Sequence, residues 1–284
     1  MPVPSLSGFA AVVINRDGRL RNGWWVVAFL AVLGALLAPA ILVSAHLGRE
    51  VTIYDQVIII ALATVAIQAF RRRSVFEVMG RPDLRWIAHL CLGALVGGLL
   101  MAAPALALTL GGWVRFEVAA ADPTVLWSAV LLMAGVAVAE ELLFRGVLFQ
   151  RLIAGIGLWP AQIVVGLFFV LTHLGNPGMD GATRIWAGVN IFIASILFGL
   201  AYARTRSLAL PIGLHFMANV TQGIVLGFGV SGGTEPSVLS PVRSAGMDWL
   251  TGGAFGLEAS LPGLIAVLTL VMVFAIPRLP LRPG

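Results

Sequence analysis

Residues 24–45, WWVVAFLAVLGALLAPAILVSA, decide the fold. The run carries no ionisable side chain, and about 20 largely apolar residues in a helix cross the hydrocarbon core of a bilayer. Seven more runs read the same way, roughly 52–70, 87–110, 125–146, 160–174, 186–203, 207–228 and 261–276. The fifth and eighth are short. Gly, Pro and Asn punctuate the gaps, as in Gly175-Asn176-Pro177-Gly178 and Ser231-Gly232-Gly233. The pattern predicts an all-α, polytopic transmembrane helical bundle of about eight spans. One domain then covers 24–276, with an N-terminal segment at 1–23 and a tail at 277–284.

Composition leads to the same class. Hydrophobic residues make up 59% of the chain, charged residues 11%, and the mean hydropathy is +0.98. A soluble domain is about 25% charged. No polar stretch of the roughly 100 residues needed for a second, water-soluble domain is present. The single cysteine, Cys91, excludes an intramolecular disulfide and a cysteine-rich metal site. Residues 1–22 lack the apolar core of a cleavable signal peptide, so the first run reads as a retained span.

A net charge of +5 raises the question of nucleic acid, but the charges are wrongly placed for it. All eighteen basic residues are arginine, and most lie in short segments between apolar runs, as the positive-inside rule requires. With eight spans and a cytoplasmic N-terminus, thirteen arginines face inward: Arg16, Arg19, Arg21, Arg71, Arg72, Arg73, Arg81, Arg85, Arg151, Arg204, Arg206, Arg278 and Arg282. Four face outward, Arg49, Arg115, Arg184 and Arg243. Both termini are therefore expected in the cytoplasm, and in a prokaryote the membrane would be the plasma membrane. Tryptophans at or near the span ends agree, because indole prefers the headgroup region. Gly93 and Gly97, and likewise Gly223 and Gly227, are spaced by four and offer smooth faces for helix packing.

A charge at the centre of a membrane helix costs about 2.5–3.5 kcal/mol even on lenient scales. The fourth run nevertheless carries Glu140, Glu141 and Arg145, the fifth Phe169 and His173, and the seventh His215 and Asn219. Glu141 and Arg145 are one turn apart and form an acid-then-base pair on one face. Glu140 is rotated from Glu141 by about 100°, so the two carboxylates need not share a partner. His215 and Asn219 present donors on one face, and Phe169 lies one turn before His173. Helix-locking pairs and bridging histidines account for such residues singly. Their joint occurrence on three runs points to one interior site. His46 and His89 read as non-catalytic.

Together, Glu-Glu-x-x-x-Arg, Phe-x-x-x-His and His-x-x-x-Asn, in that order, resemble the CPBP family of CAAX-processing and bacteriocin-processing intramembrane proteases. The lead-in Ser207 to His215 is similar too, and the resemblance covers about 125–228, the expected protease core. It implies an intramembrane endopeptidase of the CAAX-processing type, acting on a membrane-associated peptide or protein, with prenylated substrates among those the family processes. By that analogy Glu140 acts as general base on a water, assisted by His173, and His215 and Asn219 stabilise the oxyanion. Glu141, Arg145 and Phe169 support them. Whether a metal is required stays open: Glu140, His173 and His215 are the candidate ligands for a divalent ion such as zinc, yet His-Glu-x-x-His is absent. The alternative on the same scaffold is a non-catalytic bacteriocin-immunity or regulatory protein, with a proton-coupled transporter behind it.

The simple topology contains one misfit. His173 would lie about 20 Å from the inner end of its span and His215 about 12 Å from its own. A common site calls for tilt, a broken helix or a later start to the fifth span, and residues 146–159 are the natural place for a separate short helix.

Overall fold

A computed structural model describes residues 12–15 and 18–276. The N-terminal segment lies partly, and the tail 277–284 wholly, outside the described residues. Helices dominate: α1 (Asn22–His46), α2 (Ile53–Phe70), α3 (Phe76–Met79), α4 (Leu84–Leu110), α5 (Pro123–Leu143), α6 (Phe149–Ile156), α7 (Leu158–His173), α8 (Gly181–Thr205), α9 (Ala209–Asn219), α10 (Asp248–Thr251) and α11 (Leu261–Ala275). Among the described residues, five helical stretches are long and apolar enough to cross a membrane: α1, α2, α4, the continuous stretch Pro123–Ile156, and α8. Two shorter apolar helices, α7 and α11, accompany them. The polytopic helical bundle is as expected, and the count of eight spans is not reached by this criterion.

Local chemistry sets the helix ends. Thr52 and Asp55 form a capping box at the start of α2, satisfying two backbone donors that a helix N-terminus leaves free. Asp83 caps α4, Asp122 caps α5 just before Pro123, and Ser260 caps α11.

The chain breaks between α5 and α7. Phe144–Leu148 form a π-turn in which Gly146 leaves helical geometry (φ −73°, ψ −131°), and α6 follows as a separate helix. This supplies the break that the depth mismatch between His173 and His215 called for. A second π-turn, Val220–Val225, extends α9. Such widened turns recur at functional sites.

Helices α4 and α9 lie backbone to backbone. A methyl group at Gly93 would overlap the carbonyl oxygen of Leu210, one at Gly97 that of Leu214, and one at Gly213 that of Leu90. The first glycine pair thus does what its spacing suggested. The second does not, because Gly227 (φ +71°) lies in the turn after the π-turn, against the carbonyl of Leu239.

The two ends of the bundle differ in construction. At one end the starts of α1 and α4, the 71–83 connection, α6, and the ends of α8 and α11 are knitted by short bonds. Gln150 donates to the Val78 carbonyl, Ser207 Oγ to that of Met79, and Arg204 to that of Phe274. At the other end β1 (Val114–Val118) pairs antiparallel with β2 (Leu239–Arg243). This ribbon, with α10 and the 3-10 turn Leu257–Ala259, forms a folded cap.

Candidate active site

Glu141 is fully buried on α5, and its Oε1 holds two partners. His215 Nδ1 of α9 approaches it at 2.9 Å, and Arg145 NH1 at 3.4 Å. Oε2 of Glu141 has no partner among the described residues. Arg145 is equally buried, and its NH2 donates to the backbone carbonyl (3.0 Å) and Oγ (2.9 Å) of Ser195 on α8. The guanidinium carbon lies 4.9 Å from the centre of the Phe169 ring and 5.1 Å from that of Phe198, within cation–π range. The acid-base pair therefore ties α5 to α8 and α9. A buried charge survives only when it is paired and bonded in this way.

His215 is clamped on two sides. Its Nδ1 proton faces Glu141, which leaves Nε2 directed at Glu140, whose Oε2 is 3.8 Å away. Phe198 stacks on the ring, centre to centre 4.8 Å and 14° from parallel. Glu141 was expected to position its own helix and the neighbouring carboxylate. It also orients the His215 ring, a role that spacing within one helix does not reveal.

His173 ends α7, with Nδ1 2.7 Å from the carbonyl oxygen of Phe169 and the two rings 4.6 Å apart. With Nδ1–H donating to that carbonyl, Nε2 is the available acceptor. The Phe169 ring also meets Phe144 edge-on at 4.8 Å, where α5 gives way to the π-turn.

Glu140, His173, His215 and Asn219 all line one cavity of about 510 Å3 between α5, α7 and α9. Glu140 is a quarter exposed, while His173, His215 and Asn219 are buried. Asn219 follows His215 by one helical turn on the same wall. The sequence-derived residues are thus brought together, with Glu141 and Arg145 behind the wall and Phe169 in it.

Other wall residues escaped the sequence reading. Glu258, in the 3-10 turn of the cap, accepts from the backbone N–H (2.7 Å) and Oγ (3.0 Å) of Ser231, and Asn176 donates to the Ser231 carbonyl. Burial pushes the Glu258 carboxyl up from its ordinary range, against the pull of the Ser231 bonds and of His173 and His215. Burial raises Glu235 as well. A carboxylate in a polar linker gives no signal when attention rests on charges inside apolar runs. Ser195 and Phe198 look like ordinary helix positions.

The donor set does not suit a metal as it stands. Among the described residues no three His, Cys, Asp or Glu side chains gather as a ligand group. No chemical step is therefore routed through an ion.

A comparison with curated proteins finds no match. A family model does match, over residues 122–221, described as type II CAAX prenyl endopeptidase, Rce1-like. The matched segment runs from the cap of α5 to the π-turn after α9, contains all three motifs, and supports an intramembrane protease role. Over residues 122–221 the chain thus carries a segment that matches this Rce1-like model, which is of the CPBP family, with the three motifs in its order.

Proposed function

We propose that the chain is an intramembrane endopeptidase that hydrolyses a peptide bond of a membrane-associated substrate, with residues 24–276 acting as one transmembrane domain. The observation that carries this reading is the meeting of Glu140, His173, His215 and Asn219 on one cavity wall within the family-matched segment.

Water activation falls to Glu140, the carboxylate of this group and a quarter exposed, with the free Nε2 of His173 as a second acceptor for the water. A positioned general base of this kind contributes about 10²–10⁴ in rate. The hydroxide equivalent adds to the carbonyl carbon, and negative charge develops on the carbonyl oxygen. His215 and Asn219 face that charge: the Asn219 amide donates directly, and His215 donates from Nε2 in its imidazolium form, with Glu141 as counter-charge. Donors fixed before the reaction stabilise the developing oxyanion without reorganisation. The proton taken up by Glu140 passes to the leaving amine, and the tetrahedral intermediate collapses to acid and amine. Arg145 and Phe198 hold Glu141 and His215 in place. Prenylated CAAX peptides are the first substrates to try, because the matched family model is described by that activity.

The test is purified full-length protein incubated with prenylated and unprenylated lipopeptides, products identified by mass, with and without chelator. A single cut bond, seen with wild type in both conditions, is expected. An intact panel would contradict the proposal, and activity lost in chelator and restored by a divalent ion would replace the metal-free route.

A further inference from the structure

The cavity opens at one end of the bundle. Its wall reaches Gln56 near the start of α2, Asn176 and Pro177 after α7, and Ser231, Glu235 and Glu258 of the cap. Nothing from the opposite end, where the 71–83 connection meets α6 and the end of α8, contributes to that wall among the described residues.

The ends carry opposite charge. The closed end holds Arg19, Arg21, Arg71, Arg72, Arg73, Arg81, Arg85, Arg151, Arg204 and Arg206 against Glu77 and Asp83, ten cations to two anions among the described residues. The cavity end holds Arg49, Arg115, Arg184 and Arg243 against Glu50, Asp55, Glu117, Asp122, Asp180, Glu235, Asp248 and Glu258, four to eight. Arginine bias in short connections sets orientation, with the rich side cytoplasmic. Among the described residues, the cavity wall carries Glu140, Glu235 and Glu258 and no arginine or lysine.

We infer that the cavity receives its substrate from the face away from the cytoplasm, and that this substrate is a membrane-anchored segment with neutral or basic residues beside the scissile bond. The inference rests on the hydrolase reading. It separates this chain from processing of a cytoplasmic carboxyl-terminal tail, because the opening faces the other compartment. The folded cap, with its β ribbon, then borders the entrance on the exported side.

Two measurements test it. In a Cys91→Ala background, Thr234→Cys at the cavity rim and Ser74→Cys at the closed end are exposed to a membrane-impermeant maleimide in intact cells. Labelling of Thr234→Cys, with Ser74→Cys labelled only after lysis, is expected; the reverse pattern overturns the inference whatever the chemistry of the cavity. Sealed vesicles of each orientation then receive an impermeant lipopeptide. Cleavage by right-side-out vesicles, at least about fivefold faster for an arginine-flanked than a glutamate-flanked peptide, is expected from one like-charge contact. Cleavage confined to inverted vesicles, or faster for the glutamate-flanked peptide, contradicts it. No cleavage on either side or in detergent defeats the hydrolase reading, and the labelling alone then decides the face.

Discussion

The closed end and the cavity end of this bundle are made of similar helices but do opposite things with polar groups. At the closed end, charges stay in contact with water or with one another. Arg71 and Arg151 both reach Glu77, at 3.0 and 3.4 Å. Burial works against the charge on Glu77, yet Arg71, Arg151 and Arg73 hold its carboxyl below the ordinary range. At the cavity end and in the interior beneath it, carboxylates are withdrawn from water and given few, fixed partners: Glu141 by His215 and Arg145, Glu258 by Ser231. The difference teaches that the charge count of an end is a poor guide to its chemistry. Ten arginines gather at the closed end among the described residues, while a few carboxylates with fixed partners line or back the cavity at the other.

Breaking the interior pair has the largest expected effect. Arg145→Ala leaves buried Glu141 with His215 as its one remaining partner among the described residues, and removing one partner of a buried pair costs about 3–5 kcal/mol. A thermal melt in detergent should show a strongly lowered Tm, and an unchanged Tm would remove the pair from the account. Asn219→Ala attacks the oxyanion site without touching that pair. A loss of about 10²–10³ in kcat is expected, as for removal of one such donor, with Tm nearly constant.

Glu258 sharpens the contrast through pH. Its raised folded-state pKa means that protons bind the folded protein more tightly than the unfolded chain in that window. The associated stability is complete below the ordinary glutamate range and is lost as pH rises through the folded-state value. Melts between about pH 4 and 8 should show this decline in wild type and a flatter profile in Glu258→Gln. Parallel profiles would argue that the carboxyl titrates normally. At the closed end, Arg72→Ala should change both stability and cleavage least, within about 0.5 kcal/mol, as for an exposed side chain that makes no hydrogen bond or ion pair among the described residues.

Much of this contrast could be read from the sequence, for identifiable reasons. Apolar runs mark spans because a bilayer admits few charges, so the bundle and the motif residues Glu140, Glu141, Arg145, His173, His215 and Asn219 stood out at once. Gly93 and Gly97 announced the tight α4–α9 contact. Spacing along one helix, however, says nothing about partners on another. The Glu141–His215 bond and the Ser195 anchor for Arg145 therefore needed coordinates. The cap escaped because Glu258 and Ser231 lie 27 residues apart in polar connections, where a charge is unremarkable. Gly146, one glycine among 33 in the chain, gave no sign that it breaks the helix, although the depth mismatch of His173 and His215 required a break nearby.

The most direct measurement is the cleavage rate of a membrane-anchored peptide by Glu140→Gln beside wild type, both purified and matched for folding by their melts. Glutamine keeps the shape of the side chain but cannot accept the water proton. The account predicts a fall of about 10²–10⁴ in kcat with Tm unchanged. A variant that cleaves at the wild-type rate would contradict it.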